Sequence, residues 1–178
     1  MEQIKITKAS PEDFGIIQAI ARETFLETFA EHNTAADMKK YLEEKLSEQK
    51  IKAEISNPGS TFFMALEDKN VLGYLKINTG KAQTELQDDT SLEIERIYVK
   101  SSYHGKNVGQ LLYEKALETA LLENKAWLWL GVWEENPRAI RFYEKNGFVA
   151  FDKHIFKMGD DEQTDVMMKK TLTVSDQG

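Results

Sequence analysis

The stretch that most limits what this chain can become is residues 92–148. Residues 92–100, LEIERIYVK, alternate and are rich in β-branched and aromatic side chains, the pattern of a strand. A short polar loop follows at residues 101–107, with Gly105 inside it. From Val108 the apolar residues Val108, Leu111, Leu112, Ala116, Ala120 and Leu121 recur at helical spacing, which predicts an amphipathic helix to about Asn124. Strand, glycine-bearing loop and helix in that order bring the first N–H groups of the helix to the loop. Such groups, with the helix dipole, bind anions without a basic side chain, and Lys106 adds a positive charge nearby. The same pattern also serves as a plain strand-to-helix turn. It is no P-loop, because a Gly-Lys-Ser/Thr ending is missing, and Gly105 to Gly109 lacks the spacing of a dinucleotide fingerprint. Residues 126–133 then read as another strand, Asn136-Pro137 opens a short helix, and Gly147 stops it.

The rest of the chain supplies strands and helices around this unit. Residues 3–8 alternate as a short strand. Ser10-Pro11-Glu12-Asp13 is a helix start, and the helix runs through Ile16, Ile17, Ile20, Phe25 and Phe29 to about His32. Thr34 opens a second helix that ends before Asn57-Pro58-Gly59-Ser60. Residues 61–66 and 71–78 form a hairpin around Asp68-Lys69-Asn70, residues 81–90 a polar surface loop, and residues 149–157 and 165–172 a second hairpin across Gly159 to Glu162. The order βααβββαβαββ makes an α/β (α+β) chain, a mixed sheet flanked by helices. One domain spans residues 1–172, and residues 173–178 form a polar, mobile tail.

Composition excludes several classes. The chain has 178 residues, no cysteine and three histidines, so thiol chemistry is absent and no ligand-spaced cluster suggests a metal. No apolar run approaches the 18 or so residues that cross a membrane, and the N-terminus lacks the apolar core of a signal peptide. These features predict a cytoplasmic protein without membrane association. The formal net charge of −7 argues against a nucleic-acid partner and suits a cationic substrate, although it also serves solubility alone.

The two halves of residues 92–148 together resemble the GNAT superfamily of acetyl-CoA-dependent N-acetyltransferases. That family's phosphate loop, Gln/Arg-x-x-Gly-x-Gly/Ala, corresponds to His104-Gly105-Lys106-Asn107-Val108-Gly109, with His104 where Gln or Arg is usual and Asn107 where Gly is usual. The run from Asn136 to Phe148, NPRAIRFYEKNGF, matches N-x-x-A-x-x-F-Y-x-x-x-G-F at each defining position. The resemblance implies a GNAT fold with a mostly antiparallel, twisted sheet. It implies acetyl-CoA as co-substrate, without a metal. Ile97, Tyr98 and Val99 would pair with the pantetheine arm, and His104 to Gln110, that is His104, Gly105, Lys106, Asn107, Val108, Gly109 and Gln110, would hold the pyrophosphate. Asn136 and Pro137 would meet the pantetheine, and Arg138 and Lys145 the phosphates. Tyr143 would act as general acid on the CoA sulfur. Two of these side chains have plainer readings: Asn136 as a helix N-cap, and Tyr143 as a packing residue between Phe142 and Phe148.

Glu93 and Glu95 lie two apart on one strand and share a face. They are candidates for the general base or for holding a cationic substrate, unless they sit at a solvated strand end. Glu31 and His32 end the first helix, which in the family borders the substrate site. The stretch Thr24 to Ala30, TFLETFA, is similar to bacterial members of the PaiA type, which resemble spermidine/spermine acetyltransferases. Those members also carry a label as regulators of sporulation, for which no basic DNA-reading helix exists here. The expected acceptor is a polyamine; protein N-termini or lysines, or a non-catalytic acyl-CoA sensor, are the alternatives. Monomer and homodimer both remain open.

Overall fold

A computed structural model describes residues 3–172; the expected tail at 173–178 lies outside the described residues. The strands are β1 (Lys5–Lys8), β2 (Ser60–Glu67), β3 (Asn70–Thr79), β4 (Ser91–Val99), β5 (Trp127–Trp133), β6 (Val149–Met158) and β7 (Asp161–Thr171). The helices are α1 (Phe14–Phe29), α2 (Ala35–Lys45), α3 (Glu48–Ile55), α4 (Val108–Leu122) and α5 (Pro137–Lys145). All seven strands join one sheet in the order β1-β2-β3-β4-β5-β7-β6. Every neighbouring pair is antiparallel except β4 with β5, which run parallel because α4 crosses between them. The α/β class and the helix-flanked mixed sheet are those expected from the sequence.

Two apolar layers sandwich the sheet. On one face Val108, Leu112, Tyr113 and Ala116 of α4 and Tyr143 of α5 pack on Leu75, Leu92, Ile94, Leu128 and Leu130. On the other, Ile17, Ile20 and Phe25 of α1, with Met38, Leu42 and Ile51, pack on Phe62, Met64, Tyr74 and Trp133. Alternation along each strand sends successive side chains to opposite layers. The central strands therefore read as nearly continuous apolar runs.

Three local expectations change. The single helix after Thr34 is two, α2 and α3, broken at Leu46-Ser47. Leu46 is buried and keeps the apolar period, but Ser47 Oγ accepts from the Lys50 N–H at 3.1 Å and starts a new helix. The first helix begins and ends in single 3₁₀ turns, Pro11–Asp13 and Ala30–His32. The last hairpin turns tightly at Gly159-Asp160, with Gly159 at φ +66, so Asp161 and Glu162 already belong to β7.

Candidate active site

β4 and β5 stay together only from Ser91 opposite Trp127 to Ile94 opposite Leu130. Beyond that the two strands part, while β4 continues against β3 and β5 against β7. The parting starts at a bulge. Lys76 of β3 opposes Arg96 and Ile77 opposes Ile94, so Glu95 has no partner residue. An extra residue of this kind bends its strand and increases the local twist. It also sends Glu95 and Arg96 to the same face as Glu93. Exposure follows the opening: residues 91–94 are buried, residues 95–99 half-buried, and Gly131 is exposed although it lies inside a central strand. The Lys100 N–H donates to the Leu72 carbonyl at 2.8 Å, so residues 98 and 100 turn their backbone toward β3. By alternation, Ile97 and Val99 turn theirs into the gap. There the His104 ring, through Nε2, meets the Val99 carbonyl oxygen at 2.8 Å.

The gap leads to the start of α4. Glu27 of α1 ties down the loop by accepting from the Ser101 N–H at 3.0 Å and from its hydroxyl. Gly105 at φ +79 and Asn107 at φ +68 then turn the chain into the helix. Asn adopts the left-handed region better than most residues, which is why it can stand where the family has glycine. The first intrahelical bond runs from the Leu111 N–H to the Asn107 carbonyl. The N–H groups of Val108, Gly109 and Gln110 therefore have no helical partner and face outward. A Cβ added at Gly109 would meet nothing nearer than Val99 Cγ2, at 3.9 Å. The fold does not demand a glycine there, whereas an anion lying on the backbone would.

α5 closes the cavity from the other side. Asn136 Oδ1 accepts from the Ala139 N–H at 3.3 Å, so Asn136 caps the helix and keeps its Nδ2 as a donor. Tyr143 is buried between Phe142 and Phe148, with ring centroids 5.3 and 5.7 Å away. Its hydroxyl bonds to no described residue, and burial pushes that hydroxyl above its ordinary range. Gln110 and Asn146 exchange amide hydrogen bonds of 3.0 and 3.2 Å, which ties α4 to α5 and occupies the Gln110 side chain. A cavity of about 1360 Å³ joins these parts. Of the residues expected from sequence, Tyr143, Glu93, Glu95, Ile97, Tyr98, Val99, His104, Gly105, Asn107, Val108, Gly109, Gln110, Asn136, Arg138, Lys145 and His32 line it. Lys106, Pro137 and Glu31 do not; the Lys106 ammonium sits 5.1 Å from the centre of the Tyr103 ring.

The face toward α1, α2 and α3 carries the titratable groups. Glu95 meets Lys76 Nζ at 2.7 Å and Arg96 Nη2 at 3.1 Å, and Arg96 grips Glu54 of α3 in a fork of 2.8 and 3.0 Å. Burial would raise the Glu95 carboxyl, but Arg96 and Lys76 reverse that and hold it down to about 2. Glu93 is 3% exposed and accepts from Asn78 Nδ2 at 2.9 Å, the Thr84 N–H at 2.8 Å and the Thr84 hydroxyl at 2.5 Å. Burial raises its carboxyl above the ordinary value against those hydrogen bonds. The polar loop expected at residues 81–90 is therefore no loose surface segment. Gln83 is buried and accepts from Trp129 Nε1 at 2.7 Å and Ser91 Oγ at 2.8 Å, so the loop is anchored into the core.

That anchoring brings in residues the sequence reading missed. Glu85 of the loop contacts His154 of β6, and Asp165 of β7 lies directly across from His154. All three line the cavity. Their strands read as alternating surface hairpins and their loop as polar, so only the long-range pairing reveals the group. Among the described residues no cluster of His, Asp or Glu is placed to hold a metal, and no helix is long and apolar enough to cross a membrane.

Comparison with known proteins agrees with the geometry. The model of the Acetyltransferase (GNAT) family matches residues 19–148, and the chain belongs to that family. It is 44% identical over 172 residues to an uncharacterized N-acetyltransferase from the pepI 3' region of Lactobacillus delbrueckii subsp. lactis, covering 97% of this chain and 99% of the relative. It is 30% identical to the spermidine N(1)-acetyltransferase of Thermoplasma acidophilum, covering 94% and 96% of the two chains. A solved structure of the PaiA N-acetyltransferase of Thermoplasma acidophilum, in complex with coenzyme A, superposes with a TM-score of 0.78 at 26% identity, over 96% of this chain and 99% of that one. The protein is thus an N-acetyltransferase whose acetyl donor is acetyl-CoA. The outward N–H groups of α4, the bare Gly109 and the open edge of β4 fit such a donor.

The Glu95 network gives a signed stability prediction. Glu95 titrates near 2 when folded against an ordinary 4.5, so the stability it confers is complete above about pH 4.5 and is lost as pH falls toward 2. Urea unfolding of the wild type should show this loss between pH 5 and about 2.5. In Glu95→Gln the acid dependence should flatten, and an unchanged slope would mean that the network does not hold Glu95 ionised.

Proposed function

We propose that the chain transfers the acetyl group of acetyl-CoA directly to a primary amine of a polyamine such as spermidine or spermine. The observation that carries this reading is the gap between β4 and β5. It opens at one end on the free N–H groups of α4 and at the other on the carboxylate-bearing face under α1 and α2. The pyrophosphate would lie on the N–H groups of Val108, Gly109 and Gln110, with Gly105 and Asn107 shaping the loop. The pantetheine amides would add to the open edge of β4 at Ile97 and Val99, as an extra strand does. The Asn136 Nδ2 is a spare donor for the same arm. Arg138, Arg141 and Lys145, all from α5, supply the cations on the donor side.

Acetyl transfer needs a neutral amine, a polarised carbonyl and a protonated leaving group. A tyrosine is protonated at neutral pH, and the Tyr143 hydroxyl, which bonds to no described residue, can hydrogen-bond the departing sulfur and pass it a proton as the nitrogen gives one up. On the acceptor side Glu85, Glu93, Glu95 and Asp165 line the cavity. A polyamine carries several ammonium groups, and carboxylates can hold the distal ones while one amine reacts. The spermidine activity named for the Thermoplasma relative supports the same substrate class.

Tyr143→Phe removes only the hydroxyl and keeps the packed ring. It should lower kcat by roughly 10- to 10⁴-fold, the range for a lost general acid, and leave acetyl-CoA affinity within a few-fold. Full kcat in this variant would reduce Tyr143 to a core residue.

A panel of amines assayed with acetyl-CoA tests the substrate. KM should fall from putrescine to spermidine to spermine and rise with salt, because the screening length shrinks from about 10 Å at 0.1 M to about 3 Å at 1 M. A KM indifferent to amine charge and to salt, with better turnover of a lysine-bearing peptide, would replace the polyamine with a protein amine.

A further inference from the structure

β7 places one carboxylate at the mouth of the strand gap, where its position suits a more specific role than holding a distal ammonium group. Gly131 is the first residue of β5 beyond its last pairing with β4, so it marks the fork of the gap. A Cβ built on Gly131 would come within 3.2 Å of Asp165 Oδ2. The Asp165 carboxylate therefore hangs over the fork, in space that a side chain at position 131 would fill. Gly131 opposes Met167, Trp133 opposes Asp165, and His154 opposes Asp165 on the far side. All these side chains share the face that carries Glu93, Glu95 and Tyr98.

Two of the other three acceptor-side carboxylates, Glu93 and Glu95, are committed, and the third, Glu85, contacts His154. Both Glu95 oxygens bind cations, Oε1 with Lys76 and Oε2 with Arg96. Both Glu93 oxygens accept hydrogen bonds, Oε1 from Asn78 and the Thr84 N–H, Oε2 from the Thr84 hydroxyl. The Asp165 side chain makes no hydrogen bond to any described residue and lines the cavity half-buried.

We infer that Asp165 is the general base that takes the proton from the acceptor ammonium at the fork of β4 and β5, and that His154 and Glu85 form the route by which that proton leaves. The inference rests on the acetyl-transfer reading of the cleft. One N–H bond of the ammonium breaks as its proton passes to an Asp165 oxygen. The neutral nitrogen then forms a C–N bond with the thioester carbon, and the C–S bond breaks. The departing sulfur takes the Tyr143 hydroxyl proton, and the second proton lost from nitrogen restores that hydroxyl. The net products are amide, free thiol and one proton, which passes from Asp165 to His154 and out to solvent.

The environment is matched to this work. Burial raises the Asp165 carboxyl, His154 draws it down and Glu85 pushes it up, leaving it at about 6 against an ordinary 3.8. The other titratable groups facing it are Tyr98 of β4 and Tyr41 of α2, both held neutral by burial. A base that titrates near 6 is ionised at neutral pH and still strong enough to accept a proton.

The test is the pH profile of kcat/KM for whichever amine of the panel turns over fastest, in wild type, Asp165→Asn and His154→Gln. Wild type should show an acid limb near pH 6. Asp165→Asn should lose about 10²- to 10⁴-fold in kcat at pH 7, with acetyl-CoA affinity unchanged. Its rate should then climb tenfold per pH unit toward the pKa of the amine, because only free amine can react. His154→Gln should move the acid limb to higher pH, a shift that a merely structural role would not produce. Asp165→Glu keeps a carboxylate and should retain an acid limb, which separates loss of the base from loss of the fold. If Asp165→Asn keeps kcat within about threefold and the wild-type profile, Asp165 is not the base. If wild type acetylates no amine at all, the failure lies with the acetyl-transfer reading instead.

Discussion

The separation of β4 from β5 after four paired residues is the constraint on which the rest of the molecule depends. A central strand normally has both edges bonded, and leaving backbone N–H and C=O groups unpaired inside a sheet costs free energy. Here one extra residue, Glu95, turns β4 away and opens its edge. Most of the residues expected at the site are arranged on that opening. α4 begins at its outer end, Tyr143 reaches it from one face, and Asp165 overhangs it from the other.

The bulge is held by charge. Lys76, Glu95, Arg96 and Glu54 form a chain of ion pairs whose side chains are 5–18% exposed. Buried ion pairs of this kind are a poor source of stability, but breaking one partner away is costly because the other charge is left alone. The network therefore acts on geometry. It sets two adjacent residues of β4 on one face and fastens α3 to the sheet through the Arg96 fork. Its two cations and two carboxylates cancel. Outside that network Glu93, Asp165 and Glu85 line the same cavity, the last two beside His154.

The donor half of the site was readable in the sequence because its parts lie close along the chain. A strand, a glycine-bearing loop and an apolar helical period are local patterns, and so is the helix from Asn136-Pro137 to Gly147. Asn107 replacing glycine could be judged from its tolerance of positive φ, and it stands at φ +68. The acceptor half was legible as a pair of glutamates and as the end of the first helix, of which His32 lines the cavity and Glu31 does not. The shared face of the glutamate pair follows from strand alternation, but their partners come from Lys76, Asn78 and Thr84 on other elements. Asp165, His154 and Glu85 meet through sheet pairing and a loop anchored by Gln83, for which no local spacing exists. The break at Ser47 was hidden for a simpler reason. The buried Leu46 continues the apolar period across it, and a serine within a polar stretch reads as one more helical residue.

The most direct measurement is calorimetric titration of coenzyme A into wild type and Gly109→Glu. A Cβ at position 109 meets only Val99 Cγ2, at 3.9 Å, so the melting temperature should stay near that of wild type. The charge and bulk of the added side chain stand where the pyrophosphate would meet the α4 N–H groups. Affinity should fall by about 100-fold or more, the scale of losing roughly 3 kcal/mol of interaction. An unchanged affinity in a folded variant would contradict the placement of the donor and leave the gap between β4 and β5 without its function.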